Sequence, residues 1–290
     1  MQFGGKADPN ESAAMYNACR AAGINFFDTA FIYTEGQSEQ ILGGLVAAER
    51  DQIFLATKCA ADGSGRDNIL TQFAQSQKRL GQDMVDLLYL HRWDDDTDLD
   101  ETFSTLAELV DKQAVRHIGV SNFAAWQTMK AQQAAQKAGV QITALQPMYN
   151  LVKRQVEVEI LPMAISEGFA VCSYSPLGGG LLTGKYAREA GGRLVDDKMY
   201  NARYGPKWMH DTAAALADLA DARGVSPATL AVAWAASHPG LFGPIISARS
   251  AEQLEPSLAA MQFQMDDALY SKISALSPTP APATDRLEEA

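Results

Sequence analysis

GINFFDTAFIYTEG, residues 23–36, contains an apolar run that ends at an acidic residue, Asp28, and is followed five residues later by Tyr33. A short apolar run bounded by glycine and polar residues predicts a buried strand. The stretch therefore predicts a strand that places an acid and a phenol together where the chain reaches the surface.

Six further apolar runs have the same form: QIFLATK, MVDLLYLH, HIGVS, ITALQP, FAVCSYSP and PIISA. Helical periodicity fills the stretches between them, in ESAAMYNACRAAG, SEQILGGLVAAE, DETFSTLAELVDKQ, WQTMKAQQAAQKAG, EVEILPMAISEG, TAAALADLADARG and PATLAVAWAASHP. Several of these helices end at a glycine, as is common at a left-handed C-terminal cap, namely Gly23, Gly139, Gly168 and Gly224. Strict alternation of strand and helix predicts parallel strands with right-handed crossovers. Seven strands in 290 residues favour a (β/α)8 TIM barrel over a doubly wound sheet.

The first strand of such a barrel is missing from this pattern. Helical periodicity begins near Asn10, so we expect the chain to start at the very end of strand 1, near residues 1–3. Either the start is truncated or the barrel is built incompletely, and an open barrel would expose two sheet edges.

The sequence shows no domain boundary. We expect one barrel domain over residues 1–276 and a flexible tail over 277–290, where SPTPAPATDRLEEA has no apolar period. The long connection over residues 185–210 is expected to fold over some other part of the protein. The acidic run DDDTDLDE, residues 94–101, is expected to be a solvated loop and the start of a helix.

Composition narrows the possible partners. A formal net charge of −11 argues against a nucleic-acid binder, although a local phosphate pocket needs only a few donors. An odd number of cysteines, Cys19, Cys59 and Cys172, with no CxxC pair suits a reducing compartment such as the cytoplasm. No signal peptide, membrane-spanning run or metal-ligand spacing is visible, so we expect neither a membrane partner nor a metal.

Polar residues follow the apolar runs directly, where the strands of a barrel line an active site. In chain order they are Asp28, Lys58, His91, Ser121, Asn122, Gln146, Tyr174 and Arg249. A phenol such as Tyr33 has an ordinary pKa of about 10, and a nearby ammonium lowers it. Lys58, held by Asp28, could supply that ammonium. Such a group donates a proton to an oxygen that gains negative charge, as a carbonyl oxygen does when its carbon receives hydride.

The hydride must come from a cofactor, because no side chain supplies one. A GxGxxG fingerprint is absent. SYSPLGGGLLTGKY, residues 173–186, instead offers backbone N–H groups and Lys185 for a pyrophosphate. SARSAEQL, residues 247–254, sets Arg249 at the opening of a helix, which suits a phosphate.

The chain resembles the aldo-keto reductases, a family of NADPH-dependent (β/α)8 barrels. The motifs FFDTAFIY, LATK, LYLHRW, IGVSNF, LQPMYN, YSPLGGGLLTGKY and ISARSAEQL occur in family order and at family spacing over nearly the whole chain. The resemblance implies reduction of an aldehyde or ketone, with Tyr33 as general acid, Lys58 and Asp28 as its tuning pair and His91 orienting the carbonyl.

The resemblance also implies the residues that hold NADP(H). The implied set is Ser121, Asn122 and Gln146 at the nicotinamide carboxamide, Tyr174 on the nicotinamide ring, Ser175, Pro176, Leu177, Gly179 and Lys185 around the pyrophosphate, and Ser247, Arg249 and Gln253 at the adenosine end. Ser247 departs from the family pattern, which carries glycine there. Arg249 favours NADPH over NADH. Trp93 and Phe31 either line the substrate pocket or pack in the core.

A second function is compatible with the same residues. The chain is also similar to potassium-channel β subunits, in which the barrel serves largely as a cofactor-binding regulatory module, and those subunits keep the same catalytic set. A third alternative is a shortened, poorly folded product without activity.

Overall fold

A computed structural model of the chain describes residues 2–185, 198–284, 286 and 288. The strands are β1 (Phe26–Asp28), β2 (Phe54–Cys59), β3 (Val85–Leu90), β4 (Val115–Ser121), β5 (Ile142–Gln146), β6 (Ala170–Tyr174) and β7 (Gly243–Ile245). The helices are α1 (Pro9–Ala21), α2 (Gln37–Val46), α3 (Arg66–Leu80), α4 (Leu99–Asp111), α5 (Ala125–Lys137), α6 (Ile160–Glu167), α7 (Lys198–Tyr204), α8 (Lys207–Asp221), α9 (Pro227–Ala236), α10 (Ala251–Ala259) and α11 (Asp267–Ser274). All seven predicted strands are confirmed, and their alternation with helices is the element order of a (β/α)8 barrel.

The described chain forms two compact units, Met1–Gln146 with Ser247–Leu254 and Pro147–Ile246 with Glu255–Ala290. The proposal of a single domain over residues 1–276 with a tail after it stays a prediction.

The first unit contains strands β1 to β5, which pair in parallel and in sequence order. The register places Asp28 beside Ala56, Lys58 beside Tyr89 and Ser121 beside Gln146. Because parallel strands run in one direction, their carboxyl ends meet at one edge of the sheet. The predicted strand-end residues of this unit therefore share one end of it.

The core beneath that edge depends on one glycine. Ala56, Leu87, Tyr89 and Ala144 form a buried cluster, with Tyr89 fully enclosed. A Cβ atom at Gly119 would lie 2.5 Å from the Tyr89 ring. Only glycine leaves room for that ring, because buried atoms are packed at contact distance.

The opposite ends of β2, β3 and β4 are joined by an ion cluster. Asp86 Oδ2 accepts from Arg50 at 2.7 Å and from the backbone N–H of Leu55 at 2.9 Å, and Oδ1 faces Arg116 at 2.9 Å. The Asp86 side chain is only 4% exposed. The cluster borders a cleft of about 510 Å³ at this end of the strands.

The second unit contains the parallel pair β6 and β7, with Tyr174 beside Ile245. Its core centres on Trp234, whose ring stacks on Tyr149 at 5.1 Å and on Tyr270 at 5.9 Å between centroids. The buried indole N–H donates to Ser274 Oγ at 2.8 Å. The largest fully buried side chain of this unit is thus both packed and hydrogen-bonded.

The helix ends follow local chemistry. Asp8 caps α1 by accepting from the backbone N–H of Glu11 at 2.9 Å, and Asp98 caps α4 through the N–H of Asp100 at 2.8 Å. The acidic run at 94–101 is therefore a loop and a helix start, as predicted. The four glycines predicted to end helices all have positive φ, between 65° and 88°.

Sequence reasoning missed three of the described helices, α3, α7 and α11. In α3 the buried positions, Ile69, Gln72, Phe73, Ser76 and Leu80, have helical spacing, but two of them are polar. Apolar periodicity alone therefore failed to indicate the helix.

Near the N-terminus, the described residues form an isolated bridge between Phe3 and Ala7 in place of a strand. Residues 186–197 of the long connection that was predicted to fold over another part lie outside the described residues. None of the helices that the structure describes is long and apolar enough to cross a membrane.

Candidate active site

A buried ion pair lies at the carboxyl ends of β1 and β2. The Lys58 ammonium donates to Asp28 Oδ1 and, at 2.8 Å, to the carbonyl oxygen of Thr29. The two side chains are 1% and 6% exposed. Burying a charge is costly unless it is paired and hydrogen-bonded, and both conditions are met here.

Lys58 keeps its positive charge although its side chain is buried. Burial lowers the pKa of Lys58, but the neighbouring Asp28 and Tyr33 outweigh it, and the net pKa lies above the ordinary value. The ammonium nitrogen lies 5.1 Å from the centroid of the Tyr33 ring and 5.9 Å from that of Tyr89. A fixed cation so close to a phenol favours loss of the phenolic proton.

His91 is a second neighbour of Tyr33. Their ring centroids are 5.8 Å apart with an interplanar angle of 81°, an edge-to-face arrangement. Burial, followed by the charges of Lys58 and Arg92, lowers the pKa of His91 to about 4. The imidazole is therefore neutral at pH 7. Its buried Nδ1 has no hydrogen-bond partner within the described part of the chain.

A chain of hydrogen bonds continues along the ends of β4 and β5. Ser121 Oγ donates to the carbonyl oxygen of Gln146 at 2.9 Å, and Asn122 Nδ2 lies 3.0 Å from Ser121 Oγ and 2.9 Å from the carbonyl oxygen of His91. Gln146 Nε2 donates to Asp28 Oδ2 at 2.9 Å. One carboxylate thus orients Lys58 and Gln146 together, a contact that sequence reasoning did not foresee.

Backbone strain is concentrated in the loops that follow strands. The non-glycine residues with positive φ in the described chain are Thr34, Glu35, Ala60, Gln113, Asn122 and Ser175. All except Gln113 lie in loops that follow β1, β2, β4 or β6. Strained conformations of this kind cost energy and collect at functional sites, so their position supports a site at the carboxyl ends of the strands.

The second unit holds the glycine-rich loop after β6. Asn150 Nδ2 donates to the carbonyl oxygen of Ser175 at 2.9 Å. A Cβ atom at Gly179, where φ is +66°, would lie 2.6 Å from the Tyr200 ring. The loop is thus packed so closely that a glycine is required. The remaining predicted cofactor residues of this unit are Tyr174, the last residue of β6, followed by Pro176, Leu177 and Lys185.

Arg249 lies two residues before α10. It is half-buried and forms no ion pair with any residue that the structure describes. Ser250 Oγ accepts from the backbone N–H of Gln253 at 3.2 Å and so caps the helix. Ser247 and Gln253 are exposed. A guanidinium beside a helix N-terminus is a favourable environment for an anion.

Comparison with known proteins agrees with this geometry. The sequence model described as "Aldo/keto reductase family" matches residues 1–278. The chain belongs to the aldo/keto reductase family. The family resemblance and the (β/α)8 barrel class predicted from the sequence are thereby confirmed.

Three curated proteins are similar to this aldo/keto reductase over most of their own length. The "Aflatoxin B1 aldehyde reductase member 2" of Rattus norvegicus is 35% identical over 90% of this chain and 78% of its own. The "Aldo-keto reductase family 7 member A3" of Homo sapiens is 34% identical over 90% and 87%. The "Probable voltage-gated potassium channel subunit beta" of Arabidopsis thaliana is 33% identical over 89% and 84%. Membership assigns the chain to a family of oxidoreductases that use a nicotinamide cofactor on carbonyl compounds.

Two residues that support this aldo/keto reductase site escaped sequence reasoning. The carbonyl oxygen of Thr29 and the ring of Tyr89 complete the surroundings of Lys58. The position of Tyr89 could have been predicted, because the parallel register of β2 and β3 places it beside Lys58. The contact of the Thr29 carbonyl oxygen could not, because every residue has a backbone carbonyl and the sequence does not mark this one.

The two aromatic candidates for the substrate pocket have neighbours of their own. Trp93 contacts Phe123 and Trp126 edge-to-face, with ring centroids 5.2 Å and 5.5 Å apart. Trp126 is 60% exposed, so this aromatic cluster reaches the surface of the first unit. Phe31 packs against the Arg79 guanidinium, 4.5 Å from its ring centroid.

Proposed function

We propose that the protein reduces an aldehyde or a ketone to an alcohol with NADPH, and that Tyr33 is the general acid. The observation that carries the proposal is the buried, paired ammonium of Lys58 beside the Tyr33 ring. When bound, the cofactor supplies the hydride that the carbonyl carbon accepts.

Tyr33 supplies the matching proton. As the carbonyl carbon is reduced, its oxygen gains negative charge and takes the phenolic proton, so that an alcohol and a phenolate result. The positive charge of Lys58 stabilises that phenolate, because opposite charges at this separation favour the ionised form. Asp28 keeps Lys58 in place and offsets the cost of burying it.

His91 has a different role. With a pKa of about 4, only about one molecule in a thousand carries an imidazolium at pH 7, so His91 is a poor source of the proton. A neutral imidazole still carries one N–H group, which can donate to the carbonyl oxygen and orient it. The Tyr33 hydroxyl is therefore the better acid of the two.

The residues present are suited to a nicotinamide dinucleotide phosphate. The buried Nδ1 of His91 has no hydrogen-bond partner and Arg249 has no anionic partner among the described residues, so both have unused capacity for polar contacts. In this proposal Ser121, Asn122 and Gln146 hold the carboxamide, and the loop after β6 with Lys185 holds the pyrophosphate. Arg249 binds the 2′-phosphate, which selects NADPH over NADH.

Replacing Tyr33 by phenylalanine tests the acid. Tyr33→Phe should lower kcat at least about a hundredfold, since only the proton donor is lost, and leave the Kd for NADPH within about threefold of wild type. Tryptophan quenching measures the Kd, and NADPH oxidation with a panel of aldehydes and ketones measures kcat. Tyr16→Phe is the matched control, because the Tyr16 hydroxyl bonds Glu49 at 2.6 Å on another face of the unit. A fully active Tyr33→Phe enzyme would remove Tyr33 from this role.

Replacing Arg249 by alanine tests the cofactor preference. Arg249→Ala should weaken NADPH binding by about ten- to a hundredfold and leave NADH binding nearly unchanged, because only NADPH carries the 2′-phosphate. Titration of each nucleotide against tryptophan fluorescence measures both constants. Equal losses for the two nucleotides would place Arg249 away from the phosphate.

A regulatory module is the second candidate function. It is favoured by the similarity to a protein named as a probable voltage-gated potassium channel β subunit, which is 33% identical over 89% of this chain. A regulatory module would bind NADPH tightly and oxidise it very slowly with every carbonyl compound. Steady-state turnover of the wild-type protein therefore separates the two functions.

The cytoplasmic location is also part of this proposal. None of the three cysteines forms a disulfide, and Cys59 and Cys172 are buried. Cysteines outside disulfides are typical of a reducing compartment.

A further inference from the structure

The loop that carries Tyr33 has an unusual backbone. Thr34, Glu35 and Gly36 follow Tyr33 with φ of 47°, 56° and 90°, three consecutive residues in the left-handed region. For a β-branched residue such as Thr34 this conformation is a genuine outlier. A loop of this shape persists only where its surroundings impose it.

Arg79, in the last turn of α3, makes three contacts with the surroundings of this loop. Its Nη1 donates to the carbonyl oxygen of Phe31 at 3.0 Å. Its guanidinium lies over the Phe31 ring, 4.5 Å from the centroid. It also pairs with Glu39 Oε2 at 3.3 Å. One side chain thus holds the backbone and the ring of a residue two positions before Tyr33.

Glu39 connects Arg79 to the other half of the site. Its side chain is fully buried, and its Oε1 accepts from Thr57 Oγ1 at 2.7 Å. Thr57 directly precedes Lys58 on β2. Arg79 and Glu39 therefore span from the Tyr33 loop to the strand that carries Lys58.

Gly36 makes this arrangement possible. A Cβ atom at position 36 would overlap the Arg79 guanidinium. The guanidinium fills the space that every other residue type at position 36 would need. The left-handed loop and the arginine are therefore packed as one unit.

We propose that Arg79 is a positioning residue for catalysis, which sets the distance between Tyr33 and Lys58 by fixing the Phe31 backbone. The proposal rests on the proposed function, in which Tyr33 donates the proton. Arg79 contacts neither group directly and acts through the loop. A displacement of about 1 Å at a reacting group can cost about a hundredfold in rate, so a loop anchor of this kind affects kcat.

The test compares Arg79 with an arginine of similar burial at the other end of the strands. The Arg79 and Arg50 side chains are 21% and 18% exposed. Arg50 also bonds backbone carbonyls, those of Ile53 at 2.7 Å and Met84 at 3.2 Å, and pairs with a buried acid, Asp86. Arg79→Met and Arg50→Met therefore remove equivalent interactions, but only the first lies beside the Tyr33 loop. Arg79→Lys keeps the charge and serves if Arg79→Met folds poorly.

We expect Arg79→Met to lower kcat by about ten- to a hundredfold and to leave the Kd for NADPH within about threefold of wild type. Arg50→Met should lower the Tm comparably and leave kcat within about twofold of wild type. The kcat of Arg79→Lys should lie between those of Arg79→Met and the wild type. An ammonium can pair with Glu39, but it cannot also contact both the ring and the carbonyl oxygen of Phe31. Equal kcat values for Arg79→Met and Arg50→Met would overturn the proposal.

A second measurement separates this proposal from failure of the proposed function. Ultraviolet titration of tyrosinate, taken as the difference between each protein and its Tyr33→Phe derivative, isolates Tyr33 without any turnover. Lys58 and His91 face the Tyr33 ring, and Asp28 pairs with Lys58. If Arg79 sets the distance to Lys58, Arg79→Met shifts the Tyr33 ionisation to higher pH and Arg50→Met does not. An unchanged Tyr33 titration in Arg79→Met would overturn the proposal even in a protein that reduces no carbonyl compound.

Discussion

At the residue scale, the two oxygens of Asp28 divide their partners. Oδ1 accepts from Lys58 and Oδ2 from Gln146, so the ammonium and the amide are oriented by the same carboxylate. In the proposed function, Lys58 acts on the proton donor and Gln146 on the nicotinamide end of the cofactor. Asp28, the last residue of β1, therefore orients one residue that acts on the proton donor and one that acts on the cofactor.

His91 makes the stability of the protein depend on pH. Its pKa is about 4 in the folded state and about 6.5 in the unfolded chain, so between these values the unfolded state binds more protons. The contribution of His91 is therefore fully present above pH 6.5 and is lost as the pH falls towards 4. After allowance for partial exposure, the loss should be about 2 kcal/mol. Urea unfolding at pH 7 and near pH 4.5 measures it for the wild-type protein and for His91→Gln.

The wild-type protein should lose about 2 kcal/mol more than His91→Gln on acidification. If His91→Gln shows the full acid loss, another group is responsible for it.

At the element scale, β3 and β4 pack closely because Gly119 on β4 has no side chain. Gly119 leaves room for the Tyr89 ring, and that ring lies beneath the Lys58 ammonium. Gly119→Ala should lower the free energy of unfolding by about 2 kcal/mol, because an added methyl group in a filled core forces the ring to move. It should lower kcat as well, since Lys58 loses its support. Thermal unfolding and steady-state kinetics measure the two effects.

Gly44→Ala is the matched control for that substitution. A Cβ atom at Gly44 would meet no atom within 4 Å, and the residue lies inside α2. Alanine there should stabilise the protein slightly, because it is a better helix former than glycine. If Gly119→Ala changed neither the free energy of unfolding nor kcat, Tyr89 would be able to shift without disturbing Lys58.

Elements also show where sequence reasoning succeeds and where it fails. The apolar runs predicted every strand, and because parallel strands share a direction, the residues that close them were also predicted to meet. Helix α3 was missed because Gln72 and Ser76 occupy buried positions of its face. The contact of Arg79 with Phe31 joins residues 48 positions apart, and that of Gln146 with Asp28 joins residues 118 apart. Contacts of this range follow from the packing of a whole unit, so no local pattern indicates them.

At the scale of the whole molecule, the two ends of the first unit's strands have different properties. The carboxyl ends carry strained backbone and titratable groups, whereas the amino ends carry the cluster of Arg50, Asp86 and Arg116. In barrels of this class the amino-terminal face contributes mainly stability. Asp86→Asn should therefore lower the free energy of unfolding by about 3 kcal/mol, because it leaves two arginines without their counter-charge.

The same substitution should leave kcat within about twofold of wild type, since Asp86 lies at the far end of the strands from Tyr33. Urea unfolding and steady-state kinetics at pH 7 measure both values. Asp211→Asn breaks the ion pair between Lys207 and Asp211, whose side chains are 86% and 60% exposed. It should change neither the free energy of unfolding nor kcat. A large loss of kcat in Asp86→Asn would show that the two ends are coupled.

The overlap between position 36 and the Arg79 guanidinium constrains how this sequence can change over generations. A side chain at position 36 would displace the Arg79 guanidinium and would also strain a backbone whose φ is +90°. Replacing Arg79 creates no such overlap, so the constraint acts in one direction, although 43 positions separate the two residues along the chain. In descendants of this protein, position 36 should therefore stay glycine even where position 79 changes.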